Sequence, residues 1–245
     1  MNTPLRILIL DNNREEKSFG SHDLVHWALK SAPLGSQVMV RRPPDHDLPR
    51  GFEYDALLLS GSITSCLEDK EAWVKPYDQF VTEQIAAKKP ILGVCYGHQT
   101  LARCLFRKHG MEPKLRIAED AELGWAKIEK IKSSNLFDGL ANEFLTYQSH
   151  YEEVSELPPG TVNLAQTNRC AIQAFEVKGL PIYGIQFHPE YSVEDAEASL
   201  AAKLKKGVRK DWILNAGLGP KLYDENVGNI IFGNFFKLAS QARTR

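Results

Sequence analysis

Ile91-Leu92-Gly93-Val94-Cys95-Tyr96-Gly97-His98-Gln99 begins as a short apolar run and passes into a segment that carries Leu101, Ala102 and Leu105 at helical spacing. A run of this kind reads as a strand buried on both faces, and the change of period at Cys95 marks a strand-to-helix turn. Glycines stand two residues to either side of the cysteine. An arbitrary free cysteine is usually a small buried apolar residue. Paired glycines at a strand end argue instead for a sharp elbow that exposes the thiol at the sheet edge. The helix N-terminus there favours thiolate, and its free N–H groups can stabilise an oxyanion.

The same alternation extends outward in both directions. Leu5–Leu10 is a second buried-strand run, closed by the loop signal Asp11-Asn12-Asn13. Ser21 is placed to cap a helix with the apolar face Leu24, Val25, Ala28 and Leu29, stopped by Pro33 and Gly35. Gln37–Val40 and Ala56–Leu59 read as further strands, the latter running into Ser60-Gly61-Ser62. Trp73, Tyr77, Phe80, Val81 and Ile85 predict a helix of about five turns before Pro90. Strands alternating with helices imply a doubly wound sheet with right-handed crossovers. From Leu115 to Gln186 the texture changes to strand-like runs at Trp125–Ile131, Val162–Ala165, Ala171–Val177 and Ile182–Gln186 with short connections. The expected fold class is therefore α/β: a Rossmann-like (flavodoxin-like) three-layer domain with a mixed, mostly parallel central sheet. With no internal repeat or linker, residues 1–245 read as one domain. Its tail, from about residue 192, is expected to be helical and split in two by Gly217, Gly219 and Pro220.

Bulk composition narrows the function. Thirty Lys+Arg against 31 Asp+Glu leave a net charge of -1, which offers no field to gather nucleic acid or an anionic membrane. A small neutral or zwitterionic substrate fits better. Met1–Arg6 lacks the features of a secretory signal, and no stretch approaches the roughly 18 apolar residues of a membrane span. The four cysteines, Cys66, Cys95, Cys104 and Cys170, form neither CxxC pairs nor the Cys/His spacing of a zinc site, so no metal or cofactor is expected and a reducing, cytoplasmic setting is.

Two further strings complete the chemistry. Gln186-Phe187-His188-Pro189-Glu190 follows the last strand-like run directly. On an extended segment His188 and Glu190 point to the same side, so the carboxylate can orient the ring while the other nitrogen takes a thiol proton. Ser60-Gly61-Ser62 also lies at a strand's C-terminal end, where parallel sheets place ligands. An amide at Gly61 and that of Tyr96 would form an oxyanion hole, each donor worth about 3 to 4 kcal/mol of barrier lowering.

These residues resemble the signatures of the class I, triad-type glutamine amidotransferases. Gly93, Cys95, Gly97 and Gln99 meet the family's GxCxGxQ pattern, and His188, Pro189 and Glu190 meet its HPE. The resemblance implies that Cys95 forms a γ-glutamyl thioester, that His188 acts as base and then acid, that Glu190 orients it, and that Gln99 helps hold the substrate side chain. Tyr147-Gln148-Ser149-His150 is similar to the family's stretch that contacts the α-amino and carboxylate groups of glutamine, which makes Ser149 and His150 secondary candidates. Where many members read Gly-Gly-Pro, this chain has Gly61-Ser62-Ile63 after Ser60, a form more similar to the stand-alone branch that includes γ-glutamyl peptidases and proteins resembling the GMP synthase glutaminase domain. The expectation is glutamine hydrolysis to glutamate and ammonia, with a synthase on a separate chain for a partner. The alternatives are a free-standing γ-glutamyl peptidase and a non-catalytic regulatory module. Lys203, Lys205, Lys206, Arg209 and Lys210 form a basic run that reads as a solvated helix face, or as a docking site for an acceptor protein.

Overall fold

The computed structural model describes residues 3–14 and 21–243; Met1 and Asn2, part of the N-terminal stretch read above for a signal sequence, lie outside it. Five apolar segments build the parallel half of one sheet: β1 (Arg6–Leu10), β2 (Gln37–Arg41), β3 (Ala56–Leu59), β4 (Ile91–Val94) and β9 (Ile182–Ile185), in the order β2-β1-β3-β4-β9. Antiparallel strands extend it through β8 (Ala174–Val177), β7 (Thr161–Gln166) and β5 (Leu115–Lys130), with β6 (Glu143–Val154) paired to β5. A two-residue strand, β10 (Ile213–Leu214), runs parallel to β5 at the far edge.

Alternate residues of the parallel strands serve opposite layers, as the period of two requires. Ile7, Ile9, Leu58, Leu92 and Val94 face a core with α1 (His22–Ser31) and α6 (Glu225–Arg243), which contribute Trp27, Phe232, Phe235 and Phe236. Leu8, Leu10, Leu57, Leu59 and Ile91 face the other core, with Tyr77, Val81 and Ile85 of α2 (Val74–Ala86) and Leu101 and Leu105 of α3 (Tyr96–Lys108). A third, smaller core joins α4 (Val193–Lys205) to Trp125 and Tyr147 of the antiparallel strands.

Several local expectations are corrected. The buried face of α1 is Leu24, Trp27 and Ala28, while Leu29 is 65% exposed. Ser21 occupies the N-cap position, but its hydroxyl donates to Asp11 Oδ1 (2.7 Å) and caps nothing. Helix α2 has 13 residues, because Trp73 is its N-cap. β5 starts ten residues earlier than its apolar run, and β6 lies outside the strand-like runs altogether; charged and polar residues in both escape a hydrophobic pattern. In the tail, α4 and α6 are the two long helices, separated by a 3-10 turn at Lys210–Trp212, β10 and the short α5 (Gly219–Leu222). The basic run is not one helix face: it extends from α4 through its C-cap Lys206 into the 3-10 turn.

Candidate active site

β4 ends at Cys95, whose backbone sits at φ 51 and ψ -105 as the N-cap of α3. An L-residue holds positive φ only where the surroundings impose it. The surroundings here leave no room for a β-carbon on either flank. A Cβ at Gly93 would stand 2.5 Å from the Gly97 carbonyl, and one at Gly97 would stand 2.5 Å from the Leu59 carbonyl oxygen. The glycines thus let α3 start directly against β3 and β4. The N–H groups of the first turn have no intrahelical acceptor, and that of Tyr96 adjoins the sulfur.

The partners arrive from β9. His188 forms an isolated antiparallel bridge with Tyr147, its amide donating to the Tyr147 carbonyl (2.9 Å). Glu190 follows in a turn instead of on an extended segment, and the turn still brings its Oε1 within 2.7 Å of His188 Nδ1. That leaves Nε2 to address the Cys95 sulfur, with which the imidazole interacts. Burial alone would lower the basicity of His188; the Glu190 carboxylate and the sulfur overcome it and raise the pKa to about 10. Trp27 Nε1 donates to the Glu190 carbonyl (3.0 Å), tying the turn to α1.

Gly61 faces both groups. A Cβ there would lie 3.2 Å from His188 Cε1 and 3.6 Å from Cys95 Cβ. Its loop is lashed down by Asn12, whose amide donates to Ser60 Oγ (2.8 Å) and whose Nδ2 donates to the Ser60 carbonyl (3.0 Å) and Tyr77 Oη (2.9 Å). Ser60 Oγ in turn donates to the Gly61 carbonyl (2.9 Å), fixing that peptide's orientation.

Cys95, Gly61, Gln99, Ser149, His150, His188 and Glu190 all line one cavity of about 660 Å³. Gln99 is buried, and its Nε2 donates to the Glu152 carbonyl (2.7 Å) and Gln186 Oε1 (3.1 Å). Ser149 is half-buried at the wall. The His150 side chain is only 1% exposed and its Nε2 lies 3.0 Å from Glu122 Oε2, so the ring is turned into the protein. Lys203 and Lys206 of the basic run reach the cavity rim.

Three features of the site lie beyond the motifs read from the sequence. The ring of Tyr191, next in sequence to Glu190, sits 4.8 Å from that of His188. Asp23 and Asp195 also line the cavity. Burial first, then the Glu190 and Asp195 carboxylates, raise the Asp23 pKa to about 7. Position immediately after the HPE string would have flagged Tyr191; Asp23 and Asp195 carry no motif and come together only in the fold.

The family model for glutamine amidotransferase class-I matches residues 24–206. The chain is 38% identical over 190 residues to the glutamine-hydrolyzing chain of GMP synthase from Pyrococcus abyssi, an alignment covering 75% of this chain and 88% of that relative. The corresponding Thermococcus kodakarensis protein is 39% identical over 119 residues, 49% of this chain and 56% of that relative. Among solved structures, a glutamine amido transferase from Methylobacillus flagellatus superposes with a TM-score of 0.77 at 16% identity, covering 96% of this chain and 95% of that one, which shows a shared fold.

Proposed function

This chain belongs to the class-I glutamine amidotransferase family, and from that premise we propose that it hydrolyses the γ-amide of glutamine to glutamate and ammonia through a Cys95 thioester. The observation that carries the reading is the convergence of a positive-φ cysteine at a helix N-terminus with a His188–Glu190 pair 2.7 Å apart. In the proposed sequence the Cys95 thiolate adds to the γ-carbonyl, and the carbonyl electrons move onto oxygen, stabilised by the amides of Tyr96 and Gly61. His188, as imidazolium, gives its proton to the departing nitrogen, so ammonia leaves as the C–N bond breaks. Neutral His188 then takes a proton from water, hydroxide attacks the thioester, and the C–S bond breaks to release glutamate and restore the thiolate. Glu190 holds the ring and stabilises its charge. Gln99 and Ser149 are the proposed contacts to the rest of glutamine; for His150 the role is indirect, since its ring faces Glu122.

The curated relatives are, by name, components of a synthase. By that analogy, ammonia would pass to a separate synthase chain. All four cysteines are free, which suits a reducing cytoplasm, and no described helix is long and apolar enough to cross a membrane. The continuous sheet, ten-stranded among the described residues, supports reading the whole chain as one domain.

One observation favours the peptidase alternative. A cavity of 660 Å³ is the size of a site for a drug-sized ligand, and glutamine has only about ten non-hydrogen atoms. Measuring ammonia release from glutamine beside amino-acid release from a γ-glutamyl dipeptide separates the two. Robust glutaminase activity is expected; cleavage of the dipeptide alone would move the assignment to a γ-glutamyl peptidase, and failure of both would overturn the hydrolase reading.

A further inference from the structure

Behind the cavity wall, Glu122 of β5, His150 of β6 and Cys170 of the β7–β8 connection bring one donor atom each to within 4.8 Å of one another, and all three residues are buried. A bulge makes this possible: between the β5·β6 pairs Ile117↔Glu152 and Glu122↔His150, β5 spends four residues and β6 one. Bulges of this kind re-aim a side chain, here the Glu122 carboxylate. Its oxygens also accept from Thr167 Oγ1 (2.8 Å) and Gln173 Nε2 (2.6 Å).

The cluster is incompletely satisfied. Among the described residues, His150 Nδ1 and Glu153 Oε2 are buried with no hydrogen-bond partner. The other Glu153 oxygen pairs with Arg116 (2.7 Å), and its side chain is only 3% exposed. Burial, then the Glu153 and Glu122 carboxylates, push the Cys170 thiol well above its ordinary pKa. The sulfur thus faces two carboxylates and an imidazole, with only a 3.6 Å contact to the Ile172 carbonyl for its proton. A group of donors whose negative ends converge out of water needs a cation to be stable.

The spacing matches one. Around a tetrahedral zinc ion, bonds of about 2.0 to 2.3 Å hold the donor atoms about 3.3 to 3.7 Å apart. His150 Nε2 and Glu122 Oε2 stand 3.0 Å apart, so a shift of a few tenths of an ångström would seat both on one ion.

We propose that Cys170, His150 and Glu122 form a structural Zn²⁺ site, with Glu153 as the fourth ligand. Binding exchanges the His150–Glu122 hydrogen bond for two metal bonds and releases the Cys170 proton to solvent. Thr167 and Gln173 hold Glu122, and Arg116 holds Glu153, as outer partners of ligating carboxylates do. Four protein ligands leave no open position, so the ion braces and does not react. What it braces is β6, which presents Ser149 and Glu152 to the cavity; His150 borders the same cavity and gives the ion a way in. The site does not depend on the proposed reaction.

The test uses the full-length chain carrying Cys95→Ser, so that zinc cannot occupy the Cys95–His188 pair. After chelator treatment and zinc reconstitution, one zinc per chain should survive gel filtration. Its affinity should rise about tenfold per pH unit near neutrality, as loss of one thiol proton requires. Cobalt in its place should give a sulfur-to-metal charge-transfer band. Adding Cys170→Ser should abolish the band and weaken zinc binding at least tenfold; if that variant does not fold, Glu122→Gln serves for the affinity comparison. No retained zinc, retention by wild type alone, a cobalt complex without the sulfur band, or affinity unchanged by either substitution would overturn the proposal.

Discussion

The charge on His188 is set by its neighbours. Its raised pKa of about 10 contributes stability that is fully present below about 6.5, the unfolded value, and is lost as pH rises through the folded value. Glu190→Gln removes the largest charge that opposes desolvation, so two effects are expected together. The alkaline limb of kcat/KM should move to lower pH, and thermal stability should begin to fall earlier on titration from neutral to alkaline pH. The rate should drop about 10²- to 10⁴-fold, the range for losing a positioned acid–base group; an unmoved alkaline limb would remove Glu190 from this role. Asp23 behaves in the same direction for a different reason. Its carboxyl is held protonated by burial and by Glu190 and Asp195, so the stability it contributes is present below about 3.9 and lost as pH rises through about 7. Asp23→Asn should therefore flatten the decline in melting temperature between pH 5 and about 8. A variant that declines as steeply as wild type would show that Asp23 is ionised without penalty.

Among elements, the β4–α3 junction is the least tolerant of change. Gly97→Ala sets a methyl 2.5 Å from the Leu59 backbone carbonyl, which no rotamer can relieve. Overpacking typically costs about 1–3 kcal/mol; α3 would have to move off the sheet, so the melting temperature and any reactivity of Cys95 should fall together. Helices α2 and α3 are joined by a buried ion-pair network. Asp78 accepts from Arg103 Nε (2.8 Å) and Nη2 (2.6 Å) and from Arg107 Nη1 (2.7 Å), while Arg103 Nη1 donates to the Cys66 carbonyl (2.8 Å). Asp78→Ala would leave the Arg103 guanidinium, 3% exposed, without its counter-charge, and should destabilise by about 3–5 kcal/mol in denaturant titration. Arg107 is 44% exposed and loses far less on truncation, so Arg107→Ala is the internal control.

Across the whole molecule, legibility followed burial. β3 and β4 match their apolar runs residue for residue, because a strand covered on both faces must be apolar throughout. β6 did not show itself as a strand: Thr146, Gln148 and His150 are buried polar residues satisfied by tertiary neighbours, and the sequence does not display those neighbours. The Cys95, His188 and Glu190 constellation was readable because its geometry is local, an elbow and a two-residue spacing. The Glu122–His150–Cys170 cluster was not, because three elements far apart in the chain meet only after a bulge shifts their register. The cavity divides likewise: the wall around Cys95 comes from motifs, while the wall formed by α1 and α4 comes from packing alone.

The central claim is that the Cys95 sulfur is the nucleophile that attacks a γ-glutamyl carbonyl. Diazo-oxo-norleucine, an electrophile shaped like glutamine, tests it by mass spectrometry of the labelled peptides. The account predicts one adduct per chain, on Cys95, formed in step with loss of glutaminase activity and suppressed by excess glutamine, with Cys66, Cys104 and Cys170 unmodified. Inactivation with Cys95 unlabelled would contradict it.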